Sequence, residues 1–436
     1  MDIKFHLDIS GSGCNPPEVH VMVLGTATNM VQNQPVANGD FSYLDFQSGT
    51  LIKADLSGNT VKSNMVTSVD KLPKDNKQNY ILTVPHIGSA RLYISFGQSL
   101  VNIPEFTPSG PVNGKANTVI YDKIEFDNAA HINPKNSTIT APNPNVNLTS
   151  VDFYGLSYVI TAVDANTGKN RSIGFKNSRA DIEKAFRAIP GGSGQNGNPD
   201  FFKKLIFKDP HGHLVRILAP KAPGPADWSI THQGQVTAAE QRTHFWHDYI
   251  NNLCYKPGRT FECYGKLWTP ATPGPKYYGK VDSSGTNIHL FTDQAMTQVY
   301  APCPTLPRPS NPSNLPDFST NWDAYNQVDN TPVDWGFLIS ANTEGTAAPH
   351  WASNPVAMAI MISICRGCMH MDKADDWTDP KNWYTTAAPI YYYASILHEK
   401  AIDKLAYALS YDDIFGTDPS IYIHGHPDVA VVFGKV

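Results

Sequence analysis

Over its first 165 residues the chain alternates short runs of β-branched and aromatic side chains with stretches dense in Asn, Gly, Pro and Ser. That pattern constrains the fold more than any other feature, because many short strands broken by turn signals can bury their apolar faces only in a sandwich or a barrel. Glu18 to Thr26 (EVHVMVLGT) alternates and is expected to stop at Gly25. Tyr80 to Val84 (YILTV) and Ala90 to Phe96 (ARLYISF) flank a short turn, and Val151 to Val163 (VDFYGLSYVITAV) reads as one strand ending in DANTG.

The character changes near residue 175. Ser178 is placed to cap a helix starting at Arg179 (RADIEKAFRAIP), with Ile182, Ala185 and Phe186 on one face and Pro190 as its stop. Two strands, FFKKLIFKD and HLVRILAP, follow around a polar turn at Asp209 to Gly212. Helices are expected over Gln241 to Leu253, Asn354 to Cys365 and Tyr391 to Leu409, the last the longest, with Ile396, Leu397, Ala401 and Leu405 as its buried stripe. Residues 303–335, rich in Pro, Asn and Asp, read as a long surface loop. A chain of 436 residues exceeds one compact core and suggests two packed units or one domain with large insertions. The expected division is a β-sandwich or barrel domain over 1–165 and a mixed α/β domain over 166–426, with a closing strand near 427–436 rejoining the first.

Charge and the length of apolar runs each exclude a class of partner. The net charge is −5, and no basic run interleaved with aromatics offers the positive surface that nucleic acid needs. No stretch approaches ~18 consecutive apolar residues, so no membrane span is expected. Charged residues make up only 17%, below the roughly 25% of an average soluble protein. The opening MDIKFHLDISGSG lacks the basic start and apolar run of a secretory signal, so the expectation is that the protein stays in the cell, leaves by another route or is numbered from an engineered start. Six cysteines at irregular spacing leave pairing open.

Several blocks, taken in order, resemble the family-64 β-1,3-glucanases, relatives in fold of the thaumatin-like proteins. VHVMVLGT and ARLYISFGQSL resemble the family's first strands, and YDKIEFD followed by NLTSVDFYGL its paired acidic segments. LVRILAP, VYAPC and ILHEKAIDKLAYALSYDDIFG resemble its α/β part. The resemblance implies a thaumatin-like β domain and a mixed α/β domain flanking a wide crevice. It also implies hydrolysis of β-1,3-glucan with inversion, without metal or cofactor. It sets the general acid on Glu125 and the general base on Asp152, with Asp127, Asn147 and Thr149 as substrate-binding positions. Thr149 is expected to hydrogen-bond sugar, and Asp127 stands where family members usually carry Thr.

The residues themselves suit this chemistry. An inverting glycosidase needs one protonated carboxyl at the leaving oxygen and one carboxylate activating water on the other face, roughly 6.5–9.5 Å apart. Glu125 lies in the strand-like IYDKIEF, with Ile124 and Phe126 directed to the opposite face and expected to make its surroundings partly apolar. Asp152 opens an apolar strand, where a carboxylate is costly unless paired or wet.

Other constellations favour ordinary structure. Cys365-x-x-Cys368-x-His370 lacks the second pair that a structural zinc requires, and His244 and His247 lack a third ligand. Asp412 and Asp413 fit a turn role. A rival reading keeps the fold without catalysis, as a glucan-binding or self-associating structural protein; Asp127 and the long loop from Asn128 to Asn147 favour it.

Overall fold

The computed structural model describes residues 2–54, 61–102, 106–107, 110–111, 118–132, 137–150, 153–191, 200–203, 205–219, 249–265, 267–269, 272–301, 304–308, 355–408, 418–423 and 427–436. Two sheets dominate. The five-stranded sheet runs Asn170–Gly174, Tyr158–Val163, Asp428–Phe433, Ile3–Asp8, Tyr80–Val84. The last strand of the chain lies parallel to the first, with Phe5 opposite Val429 and Leu7 opposite Val431. The eight-stranded sheet runs Ser420–Tyr422, Asn145–Leu148, Ile120–Asp127, Ile87–Phe96, Val19–Val31, Gln34–Asp45, Thr50–Lys53, with Thr67–Ser68 pairing off its path onto Val19–Val31.

Alternation explains why the sheets stack. Phe5, Leu7, Val19, Val21, Val23, Leu92, Ile94, Ile124, Phe126, Val429 and Val431 all face inward and belong to one buried cluster. The layers interlock through rings: Phe5 meets Phe126 edge-on at 5.1 Å between centroids, and Phe96 meets Phe433 at 5.3 Å. Tyr80–Val84 and Ile87–Phe96, which flank a short turn, enter different sheets, so that turn is a corner between layers.

Several expected elements are corrected. Val19–Val31 continues through Gly25, where the register with Ile87–Phe96 shifts, and the register with Gln34–Asp45 shifts just beyond, between Thr26 and Thr28. A Cβ at Gly25 would stand 2.9 Å from Ala90 Cα, so glycine there admits a close strand and a bulge instead of ending the strand. The expected strand over 151–163 is divided: Phe153–Tyr154 joins Leu214–Leu218, and Tyr158–Val163 joins the five-stranded sheet. The break falls at Gly155, whose Cβ would lie 2.0 Å from Tyr121 O. The segment 201–209 begins as a helical turn, Asp200–Lys203, which places Phe202 edge-on to the rings of Tyr391 and Tyr392. Its strand portion is Ile206–Lys208.

Ser178 caps the helix Arg179–Arg187 as expected: its hydroxyl accepts from the Asp181 N–H at 3.1 Å, and Ile182 and Phe186 are buried. The helix Pro355–Cys365 lies where the apolar run predicts it. The C-terminal helix covers only Tyr392–Lys400 and is not the longest described. Ala401 is extended and bridges Phe175, and Asp403 takes a positive φ of 53°. The chain must leave the helix there to bring Tyr407 beside Thr149. A four-stranded sheet, Thr260–Tyr264, Lys276–Val281, Asn287–Phe291, Thr305–Pro307, completes the mixed part. That last strand falls within the stretch expected to be loop, most of which lies outside the described residues. No described helix is long and apolar enough to cross a membrane.

Candidate active site

Glu125 projects from Ile120–Asp127, an interior strand of the eight-stranded sheet, on the face opposite the shared core. Its register neighbours are Arg91 on one side and Asn147 on the other. Two residues along, Lys123 stands opposite Tyr93, and in the other direction Asp127 stands opposite Asn145. Strand alternation therefore gathers Arg91, Glu125, Asn147, Lys123, Asp127 and, beyond Asn147, Thr149 on one face.

The immediate surroundings of Glu125 are charged, which corrects the expectation of partly apolar ones. Ile124 and Phe126 point into the core, as alternation requires, and their apolar surface lies behind the sheet. Arg91 Nε donates to Glu125 Oε1 at 3.2 Å, and the two side chains are 33% and 24% exposed. Among the described residues, Glu125 Oε2 has no hydrogen-bond partner. Asn147 Oδ1 is buried and has none either, an unpaired polar atom in the row of the carboxylate.

Asp127 is committed to the protein. Oδ2 accepts from Ser89 N–H at 2.8 Å and contacts His131 Nε2 at 2.8 Å, while Oδ1 accepts from Ala129 N–H at 3.0 Å. That carboxylate raises the His131 imidazole above its ordinary value. Thr149 is buried and bridges Tyr407. The next residue, Ser150, is held by Tyr407 O at 2.8 Å and by the Tyr393 hydroxyl, which donates to Ser150 O at 2.6 Å. Asp152 lies outside the described residues, as do His244, His247, Asp412 and Asp413. Phe153 after it is flanked by two cations, the Arg216 guanidinium 5.4 Å and the Lys123 ammonium 5.7 Å from its ring centre.

Sequence reasoning missed Arg91, Lys123, Arg216 and the two tyrosines. Arg91 and Lys123 carried a signal, since each is a charge inside an otherwise apolar alternating strand. Arg216, Tyr393 and Tyr407 carried none, because their roles depend on contacts across hundreds of residues or between separate sheets.

Four of the described cysteines, Cys254, Cys263, Cys365 and Cys368, are buried in the core. Among the described residues, Cys14, Cys254, Cys263, Cys365 and Cys368 form no disulfide with one another, and Cys303 lies outside the described residues. Cys365 ends its helix and Cys368 follows it, both fully buried. Burial pushes the Cys368 thiol up to about 12, so it stays protonated and points at the Ser363 and Trp377 carbonyls. His370 contacts the Tyr249 hydroxyl at 3.2 Å through Nδ1.

The sequence matches the β-1,3-glucanase family model over residues 6–433. No curated protein matches it. Among solved structures it is similar to a β-1,3-glucanase domain from Clostridium beijerinckii, at 17% identity, 99% coverage of this chain, 98% of that one and a TM-score of 0.63. It is similar also to a laminaripentaose-producing β-1,3-glucanase in complex with laminaritetraose, at 16% identity, 100% and 98% coverage and a TM-score of 0.65. These likenesses show a common fold, and the family match spans the strands that carry Glu125 and its neighbours. The chain therefore belongs to glycoside hydrolase family 64, the β-1,3-glucanases.

Proposed function

We propose that the β-1,3-glucanase reaction of this family is carried in this chain by Glu125 as general acid and Asp152 as general base. The observation that carries the reading is the position of Glu125: a carboxyl on the polar face of an interior strand, one oxygen held by Arg91, beside the unpaired Asn147 Oδ1. Glu125 gives its proton to the glycosidic oxygen as the C1–O bond breaks. Asp152 takes a proton from water, whose oxygen bonds to C1 from the opposite face and inverts the anomeric centre. One water is consumed, and the two carboxyls regain their starting states by exchange with solvent. Asn147 Oδ1 accepts from a sugar hydroxyl, which supplies the partner it lacks in the protein. Thr149, buried beside Tyr407 on the same strand face, braces the segment that leads to Asp152. Asp127 contributes by fixing Ser89 and His131 at the edge of the face, since its oxygens are already engaged. The substrate is a β-1,3-glucan, the class to which the laminaritetraose bound by the second solved relative belongs.

The test is reducing-sugar release from laminarin by wild type, Glu125→Gln and Asp152→Asn. Each carboxamide variant is expected to lose at least ~10²-fold in kcat while retaining laminarin binding, because the amide keeps the shape without proton transfer. Wild-type rates in both variants would defeat the assignment. Wild-type protein that binds laminarin and never cleaves it favours the non-catalytic alternative.

A further inference from the structure

We infer that Arg91 is the positioning residue of the acid, selecting which oxygen of Glu125 carries the catalytic proton. The inference rests on the assignment of Glu125 above. Arg91 and Glu125 are direct cross-strand neighbours on two interior strands of the large sheet, so their backbones are fixed relative to each other by the ladder on both sides. The guanidinium is charged at every working pH and has donors only. With its Nε–H directed at Oε1 at 3.2 Å, that oxygen must accept, and a proton on it would meet another donor hydrogen head-on. The proton of the neutral acid is thereby left to Oε2, which has no partner among the described residues. A free glutamate side chain spreads over several rotamers and either oxygen can be protonated. Held by Arg91, it offers one oxygen in one direction, the near-attack arrangement that proton transfer to a glycosidic oxygen requires.

A pair this exposed adds little to folding, because solvent screens it. Loss of Arg91 should therefore move catalysis more than stability.

The experiment compares two leaving groups. Laminarin needs protonation of its departing sugar oxygen, whereas a 2,4-dinitrophenyl laminarioligosaccharide releases a phenolate that needs none. Arg91→Met is expected to lower kcat on laminarin by ~10- to 100-fold with KM within about 2-fold. On the dinitrophenyl glycoside its loss should shrink to under ~3-fold, since the acid step is bypassed. Arg91→Lys, which keeps a charged donor without the planar fork, should recover part of the laminarin rate. The melting temperature of Arg91→Met should stay within about 4 °C of wild type. In a Glu125→Gln background, Arg91→Met should cost no more than ~2-fold further, because no acid proton remains to be placed. Equal losses on both substrates, a change confined to KM, or full additivity with Glu125→Gln would each overturn the inference. If Arg91→Met does not fold, the same leaving-group comparison is read from Arg91→Lys and Arg91→Gln. The two assignments separate cleanly: a normal Glu125→Gln loss beside an unaffected Arg91→Met removes only this inference, while wild-type activity in Glu125→Gln removes the acid itself.

Discussion

Asp122, next to the site but on the other face of its strand, shows what a single buried carboxyl costs. It is fully buried, and its Oδ2 accepts from the Gly155 and Leu156 N–H groups at 2.8 and 2.9 Å. Desolvation pushes it up to about 6, and those backbone donors offset only part of the rise. The sign follows from proton binding. Between the unfolded value near 3.8 and the folded value near 6, the native state holds a proton that the unfolded chain has released. This group therefore favours folding most at low pH, and its contribution falls as pH rises through that window, with no further change above it. Asp122→Asn should abolish this component, so the urea midpoints of wild type and variant, measured from pH 4 to 7, should converge or cross with a slope difference confined to that range. Parallel midpoints would contradict it. Asp122 was not legible as a special residue in the sequence, where its strand reads as an ordinary acidic segment. Its environment is made by a loop 33 residues away. The common face of Glu125 and Asn147 was legible, because strand alternation predicts which way they point.

At the scale of elements, the strand expected over 151–163 shows how one backbone contact redirects the chain. Gly155 permits Phe153–Tyr154 and Tyr158–Val163 to enter two different sheets, and the approach of Tyr121 O leaves no room for a methyl group. Gly155→Ala should destabilise the protein by about 3 kcal/mol or more, since the contact is with backbone and cannot be relieved by a rotamer change. At Gly434 a Cβ would sit 3.5 Å from Ser157, an ordinary contact, so Gly434→Ala should cost within about 0.5 kcal/mol. Denaturant melts of the two variants give the comparison, and equal costs would sink the explanation. The helix at 179–187 was legible to the residue at its start and to within about two residues at its end, because cap, stripe and stop are all local signals. The helix at 392–400 was overextended because the apolar residues beyond it face strands and not a helix neighbour.

For the whole molecule, the decisive contact joins the two ends of the chain. Asp428–Phe433 lies between Ile3–Asp8 and Tyr158–Val163, and without it the five-stranded sheet separates into two pairs. Val429, Val431 and Phe433 are buried in the shared core, each contributing roughly 1.5–3 kcal/mol. Together they match much of the 5–15 kcal/mol by which a typical domain is stable. A chain ending at Pro427 should therefore fail to give a cooperative thermal transition or a monodisperse peak in gel filtration. Wild-type melting of the truncated protein would show that the sheet tolerates the gap.

The strands near 80–84 and 90–96, the capped helix at 179–187 and the direction of each side chain within its strand were determined by the sequence itself, through period-two alternation and local capping chemistry. The family resemblance, carried by short ordered blocks, was legible there too. Tertiary structure alone decided that Arg91 stands opposite Glu125, that Asp127 is spent on Ser89, Ala129 and His131, and that Tyr393 and Tyr407 brace the segment before Asp152. Those facts depend on register and on non-local pairing, in which any strand of suitable pattern can stand beside any other until the packed core selects one partner.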